Sequence, residues 1–138
     1  MPVLYKIIPG LKAMYVSGKG KVSVEEIITE GARMFSDNEW RNGYKIMIDY
    51  RGITEFDVKT DDVMKIVNQD KSNEYLFDKS KCAIIACSDL VFGISRMWEA
   101  LSGNKKTETM VFRDIDEAME WLEVDETFLN AVRELQCK

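Results

Sequence analysis

The sequence contains no histidine. That excludes His-based catalytic triads and imidazole acid–base chemistry, since imidazole is the one side chain that exchanges a proton near neutral pH without environmental help. Cysteine is scarce: Cys82, Cys87 and Cys137 form an odd set with no CxxC pair, so cysteine-rich zinc sites are all but excluded. Cys82 and Cys87 lie on one expected strand at a spacing that points them to opposite faces, and both read as buried, reduced thiols acting as small hydrophobes. No apolar run approaches bilayer length, and no basic segment followed by a signal-like apolar stretch is present. The expectation is a cytoplasmic protein without stable membrane insertion. A sustained positive field is also missing: the net charge is -5 with both signs interspersed, which argues against a nucleic-acid partner. No internal repeat or low-complexity tract competes with a globular reading.

What is present suffices for one core. A chain of 138 residues, 46% of them hydrophobic, supports a single domain and is too short for two ordinary ones. We place that domain over residues 1–124, with 125–138 as an amphipathic helix packed on it or offered to a partner.

The best-defined unit runs from Lys81 to Leu101. Cys82 to Cys87 is an apolar run without polar alternation, as expected of a central strand covered on both faces. Ser88 then caps a helix, Asp89 sits on its positive end, and apolar residues at 90, 94, 97, 98 and 101 form its inner stripe before Gly103 stops it. Upstream, VLYKII and a strand from Leu11 to about Gly18 make a hairpin across Pro9-Gly10. Ser23 and Glu26 form a capping box that opens a helix buried through Val24, Ile27, Ile28, Gly31 and Phe35, with Glu25, Glu30 and Arg33 outside the stripe. Trp40 is expected to fold back over the end of that helix.

Tyr44 to Tyr50 is the next strand, with Asp49 needing a partner for which Arg51 is the local candidate. The segment GITEFD reads as a loop carrying Ile53 and Phe56 toward the core, and Thr60 caps a helix with Val63, Ile66 and Val67 inside. Residues 68–80 lose their period and read as a loop or frayed helix pinned by Tyr75, Leu76 and Phe77. After the polar residues from Lys105, Thr109 to Phe112 form the last strand and Asp114 opens a helix burying Ile115, Ala118, Trp121 and Leu122. The expected fold class is α/β: a mixed, mostly parallel five-stranded sheet with helices packed on it and an N-terminal β-hairpin.

The hairpin, the capped helix and the runs IDYRGITEFD, CSDLVFGISRMWEAL and FRDIDEAMEWL together resemble the short SpoIIAA-like proteins over about Leu4 to Leu122. That family is related in fold to STAS domains, which include bacterial anti-sigma-factor antagonists, and more remotely to lipid-binding CRAL-TRIO (SEC14-like) domains. The resemblance implies a regulatory or binding module. It also implies a test, because the antagonists carry a D-S-S-G motif whose serine is phosphorylated. Here Asp57 matches the aspartate, while Val58 and Lys59 stand where the serines would be and have no hydroxyl to accept phosphate. Thr54 and Thr60 lie nearby, and nothing in their spacing singles them out.

Ligands of parallel sheets sit beyond the carboxyl ends of the strands. Arg51, Ser88, Asp89 and Arg113 arrive there, as a seat for an anionic group or, on the favoured reading, as local caps and ion pairs with Asp49, Asp89 and Asp114. Gly93 inside a helix suggests a close neighbour, with Arg96 on the same side. Phe92, Met97, Trp98 and Met64 line an apolar cavity for an acyl chain if they are not ordinary core. Three functions follow, in descending order. The first is a non-enzymatic interaction module working through a protein partner or a small apolar or anionic ligand. The second is a carrier of a lipid or similar apolar molecule, and the third an enzyme using Asp49, Asp57 or Asp89 as base. No cofactor or metal is expected, and a homodimer through the hairpin or through Phe128, Val132 and Leu135 is a further expectation.

Overall fold

The computed structural model describes residues 2–102 and 107–136. The expected helix stop at Gly103, the start of the polar segment at Lys105 and the third cysteine, Cys137, lie outside them, while Glu108 at the end of that segment already belongs to the last strand. In chain order the elements are β1 (Val3–Ile8), β2 (Ala13–Ser23), α1 (Val24–Phe35), β3 (Lys45–Asp57), α2 (Thr60–Ser72), β4 (Lys81–Ile85), α3 (Asp89–Ser102), β5 (Glu108–Phe112), α4 (Ile115–Leu122) and α5 (Glu126–Gln136). They form one five-stranded sheet in the order β1-β2-β3-β4-β5, with β1 antiparallel to β2 and the other three pairs parallel. The α/β class and the mixed sheet stand as the residue pattern indicated.

Sequential strand order has a consequence for the layers. Parallel crossovers are right-handed, so strands added in one direction send every crossover helix to the same face. One core accordingly joins Met14, Val16, Ile46, Cys82 and Ile84 to residues of α1 and α3, with Val63 and Ile66 of α2 bordering the space beside Val16 and Ile84. The opposite face, with Tyr15, Met47, Ala83 and Ile85, is left to α4 and α5, which cover it with Ala118, Leu122, Phe128 and Val132. α5 is therefore part of this core: of the two alternatives the sequence left open for its stripe, packing on the domain is the one the fold takes, with Phe128 and Val132 buried. Lys6 fastens it by donating to the Ala131 carbonyl at 2.9 Å and pairing with Glu134 at 2.9 Å.

Several boundaries differ from the sequence reading. The first strand pair turns through a short 3-10 segment, Pro9–Leu11, so β2 starts at Ala13. Gly18 and Gly20 do not end β2. They sit at register shifts inside it, where the ring of Tyr50 would lie 2.7 Å from a Cβ at Gly18 and where Gly20 takes φ +65. GITEFD is strand rather than loop, because β3 runs on to Asp57 beside the far half of β2. α2 extends to Ser72 and a 3-10 turn follows at Glu74–Phe77, in which Tyr75 is exposed rather than pinned. Trp40 is buried as expected, and its indole N–H donates to the Leu76 carbonyl at 2.6 Å.

β4 is interior and buried, but β3 is the middle strand, and Cys87 lies beyond β4 and is exposed. α1 begins with the expected capping box: Ser23 N–H donates to Glu26 at 3.0 Å and Glu26 N–H to Ser23 at 3.3 Å. Glu30, placed outside its stripe by the sequence reading, is buried and lies 3.5 Å from Arg33. The stripe of α3 is also rotated: Val91 and Ser95 are buried, whereas Leu90 and Leu101 are exposed.

Gly93 faces outward on α3, and a Cβ there would meet nothing within 4 Å. The expected close neighbour does not exist. Gly93→Ala should accordingly stabilise the protein by about 1 kcal/mol, the helix-propensity difference. A thermal or urea unfolding curve checks this, and a loss of stability would mean that the outer face of α3 is covered.

Candidate functional site

The carboxyl edge of the sheet is where a ligand was expected, and four of the proposed residues gather there by register. Asp49 of β3 lies beside Ile85 of β4, which lies beside Phe112 of β5, so Arg51, Ser88 and Arg113 follow at the same level. Each has a local partner. Arg51 donates to Asp49 through Nε at 2.9 Å, through Nη2 at 2.8 Å and through its backbone N–H at 3.1 Å. Tyr15 adds a hydroxyl donor to the same carboxylate at 2.5 Å. Burial of Asp49 works against its charge, but the hydrogen bonds from Arg51 and Tyr15 and the guanidinium charge outweigh it and hold the group below the usual carboxylate range.

Arg113 donates to Asp89 at 2.8 Å and to the Cys87 carbonyl at 3.2 Å, and its guanidinium lies 4.1 Å above the Phe92 ring centre. Ser88 caps α3, its hydroxyl accepting from Val91 N–H at 3.2 Å. Arg96 pairs along the helix with Glu99 at 3.4 Å. Caps and ion pairs thus engage Arg51, Ser88, Asp89 and Arg113 at this edge. Gly93, Arg96 and Met97 border neither of the two compartments between the sheet and α1 to α3. Among the described residues, no group of three His, Cys, Asp or Glu side chains is placed to hold a metal ion. No described helix is long and apolar enough to cross a membrane.

The cavity lies deeper, between the sheet and α1, α2 and α3. It has two compartments, of about 120 Å³ and about 110 Å³. The first reaches Met14, Ile46, Phe77 and Cys82; the second reaches Ile27, Tyr50, Phe56 and Val63. Val16, Met34, Phe35, Ile48, Asp70 and Trp98 border both. Of the residues expected to line an apolar cavity only Trp98 does so. Phe92 stacks under Arg113, and Met64 is exposed on α2.

Asp70 is the one carboxylate on the wall among the described residues. Its Oδ2 accepts the Trp98 indole N–H at 2.6 Å, and burial pushes its pKa up to about 7 against the pull of that hydrogen bond. Among the described residues it has no ion-pair partner. Sequence reasoning missed this residue; the signal available was that Asp70 continues the helical stripe of Val63, Ile66 and Val67, and the structure leaves it half-buried at the end of that stripe.

No protein-family model matches the chain, and no curated protein matches it. Among solved structures it is similar to an uncharacterised protein of the DUF3478 family with a SpoIIAA-like fold from Shewanella loihica PV-4. The identity is 17%, the TM-score is 0.51, and the alignment covers 80% of this chain and 83% of that one. The SpoIIAA-like fold expected from the sequence is therefore shown; at this identity the likeness speaks for the fold alone.

Proposed function

We propose that this SpoIIAA-like domain is a non-catalytic binding module whose ligand is a small apolar molecule held between the sheet and helices α1 to α3. The observation that carries the reading is the two-compartment chamber, whose mainly apolar wall carries, among the described residues, a single carboxylate. A well-formed apolar pocket with a few placed polar groups is the usual form of a small-molecule site. Each compartment is somewhat smaller than the roughly 150 Å³ apolar cavity that accepts benzene in an engineered protein. The ligand class is therefore a molecule of six to about ten heavy atoms rather than a long acyl chain, on the same scale.

The non-catalytic half of the proposal is supported by the state of the candidate bases. Asp49 is the buried one among them, and it is held ionised by Arg51 and Tyr15, whereas Asp70, which burial brings to about 7, has among the described residues only the Trp98 indole as a side-chain hydrogen-bond partner. Asp89 is solvent-exposed and paired with Arg113. Regulation through a protein partner remains compatible with this, the ligand then acting as the signal.

The test is native mass spectrometry of freshly purified protein together with thermal unfolding in the presence of benzene and 1-hexanol. An adduct of small mass, or a rise in Tm of about 5 °C at tenfold excess over Kd, is the expected result. Absence of both an adduct and any shift would sink the proposal.

A further inference from the structure

We propose that Asp70 is the polar anchor of the chamber and that the molecule it selects is a small apolar amine, bound as its ammonium form. This rests on the chamber being a ligand site. Asp70 and Trp98 stand at the boundary of the two compartments, so a head group there would leave its tail free to enter either one. Trp98 donates to Oδ2; Oδ1 has no hydrogen-bond donor among the described residues. A carboxylate facing an apolar cavity with one neutral donor is short of both hydrogen bonds and compensating charge.

An ammonium supplies both, with three donors and a positive charge in a setting that strengthens charge-assisted bonds. An alcohol supplies a donor without the charge. A carboxylate ligand would face like charge. Among the described residues the surroundings supply no substitute cation. Lys71, next on α2, is exposed at the rim of the first compartment. Cys82 on β4 and Tyr50 on β3 approach Asp70 closely enough to sense its charge, but burial keeps thiol and phenol neutral. Gln69 is turned to α1, where its side-chain amide donates to the Ile28 carbonyl at 2.8 Å.

The pairing depends on the ionised form of Asp70, which burial withdraws below about pH 7. Alkylamines stay protonated throughout this range. Amine affinity should therefore fall on acidification, while affinity for an uncharged analogue should not.

Calorimetric titration of the full chain with hexylamine, 1-hexanol and hexanoate distinguishes the cases. At pH 8 hexylamine should bind at least tenfold more tightly than 1-hexanol, and hexanoate more weakly still. The gap should close to within about twofold at pH 5.5, and also at pH 8 in Asp70→Asn, whose side-chain oxygen still accepts from Trp98. The wild-type pH series gives the same information should the variant fold poorly. Equal binding of hexanol and hexylamine at pH 8, or an amine preference that survives Asp70→Asn, overturns the amine assignment but leaves the chamber reading intact. If none of the three compounds binds, both fail.

Discussion

Asp49→Ala is expected to destabilise the protein by about 3 kcal/mol, the typical cost of removing one partner of a buried ion pair, with a Tm lower by roughly 10 °C. The substitution leaves the Arg51 guanidinium, about one-third exposed, without its bidentate acceptor, and leaves the fully buried Tyr15 hydroxyl with Gln136 but without its carboxylate acceptor. Water can reach Arg51, which keeps the loss at the lower end of the range for such pairs. Tyr15→Phe removes one hydrogen bond and should cost about 1 kcal/mol. Because the folded-state pKa of Asp49 is lowered, its contribution is complete above the unfolded value of about 4 and is lost as pH falls through the folded one. Urea unfolding of wild type and variant at pH 7 and at low pH should show the gap narrowing with acidification. A gap that is the same at both would mean that the carboxylate is not held ionised by its partners.

Asp70→Asn should do the opposite and stabilise the protein by about 2 to 3 kcal/mol at pH 8, since a half-buried carboxylate whose side-chain partner among the described residues is the neutral Trp98 indole is replaced by a neutral isostere. Here the folded pKa, about 7, lies above the unfolded one, so the native state binds more protons in between. Wild-type stability attributable to this group falls as pH rises from about 4 to about 7, and then levels. The asparagine variant lacks that slope, so the two proteins should converge near pH 4 and diverge toward pH 8. Parallel stability curves across this window would show that Asp70 is solvated and ordinary. A gain of this size on removing one carboxylate is what is expected where a group is retained for binding at the expense of stability.

The two aspartates were unequally legible. Asp49 stands in an apolar strand with an arginine two residues on, a local pattern, and its pairing with Arg51 was readable from the chain. The second partner was not, because Tyr15 reaches Asp49 from β2 only once the two strands are in register. Asp70 lies where apolar periodicity fades in sequence, and its neighbour Trp98 is on a different helix. Gly93 misled in the other direction: an interior helical glycine suggests a close neighbour, yet it faces solvent. GITEFD likewise lacks the apolar density of a core strand, but pairing with the far half of β2 keeps it extended.

Local chemistry along the chain was enough to determine the α/β class, the start of α1 through Ser23 and Glu26, the capping of α3 by Ser88, the burial of Trp40 and the reach of Arg51 for Asp49. All of these are set by residues a few positions apart or by the apolar period of a single element. Only the folded chain decided that α1 to α3 share one face of the sheet, that α5 closes the other, and that Asp70 meets Trp98 at the boundary of an apolar chamber. Those outcomes depend on strand order and on helix rotation about its axis, where a shift of one residue, about 100° around the helix, exchanges wall for surface. Side chains 28 residues apart carry no mark in the sequence that they will touch.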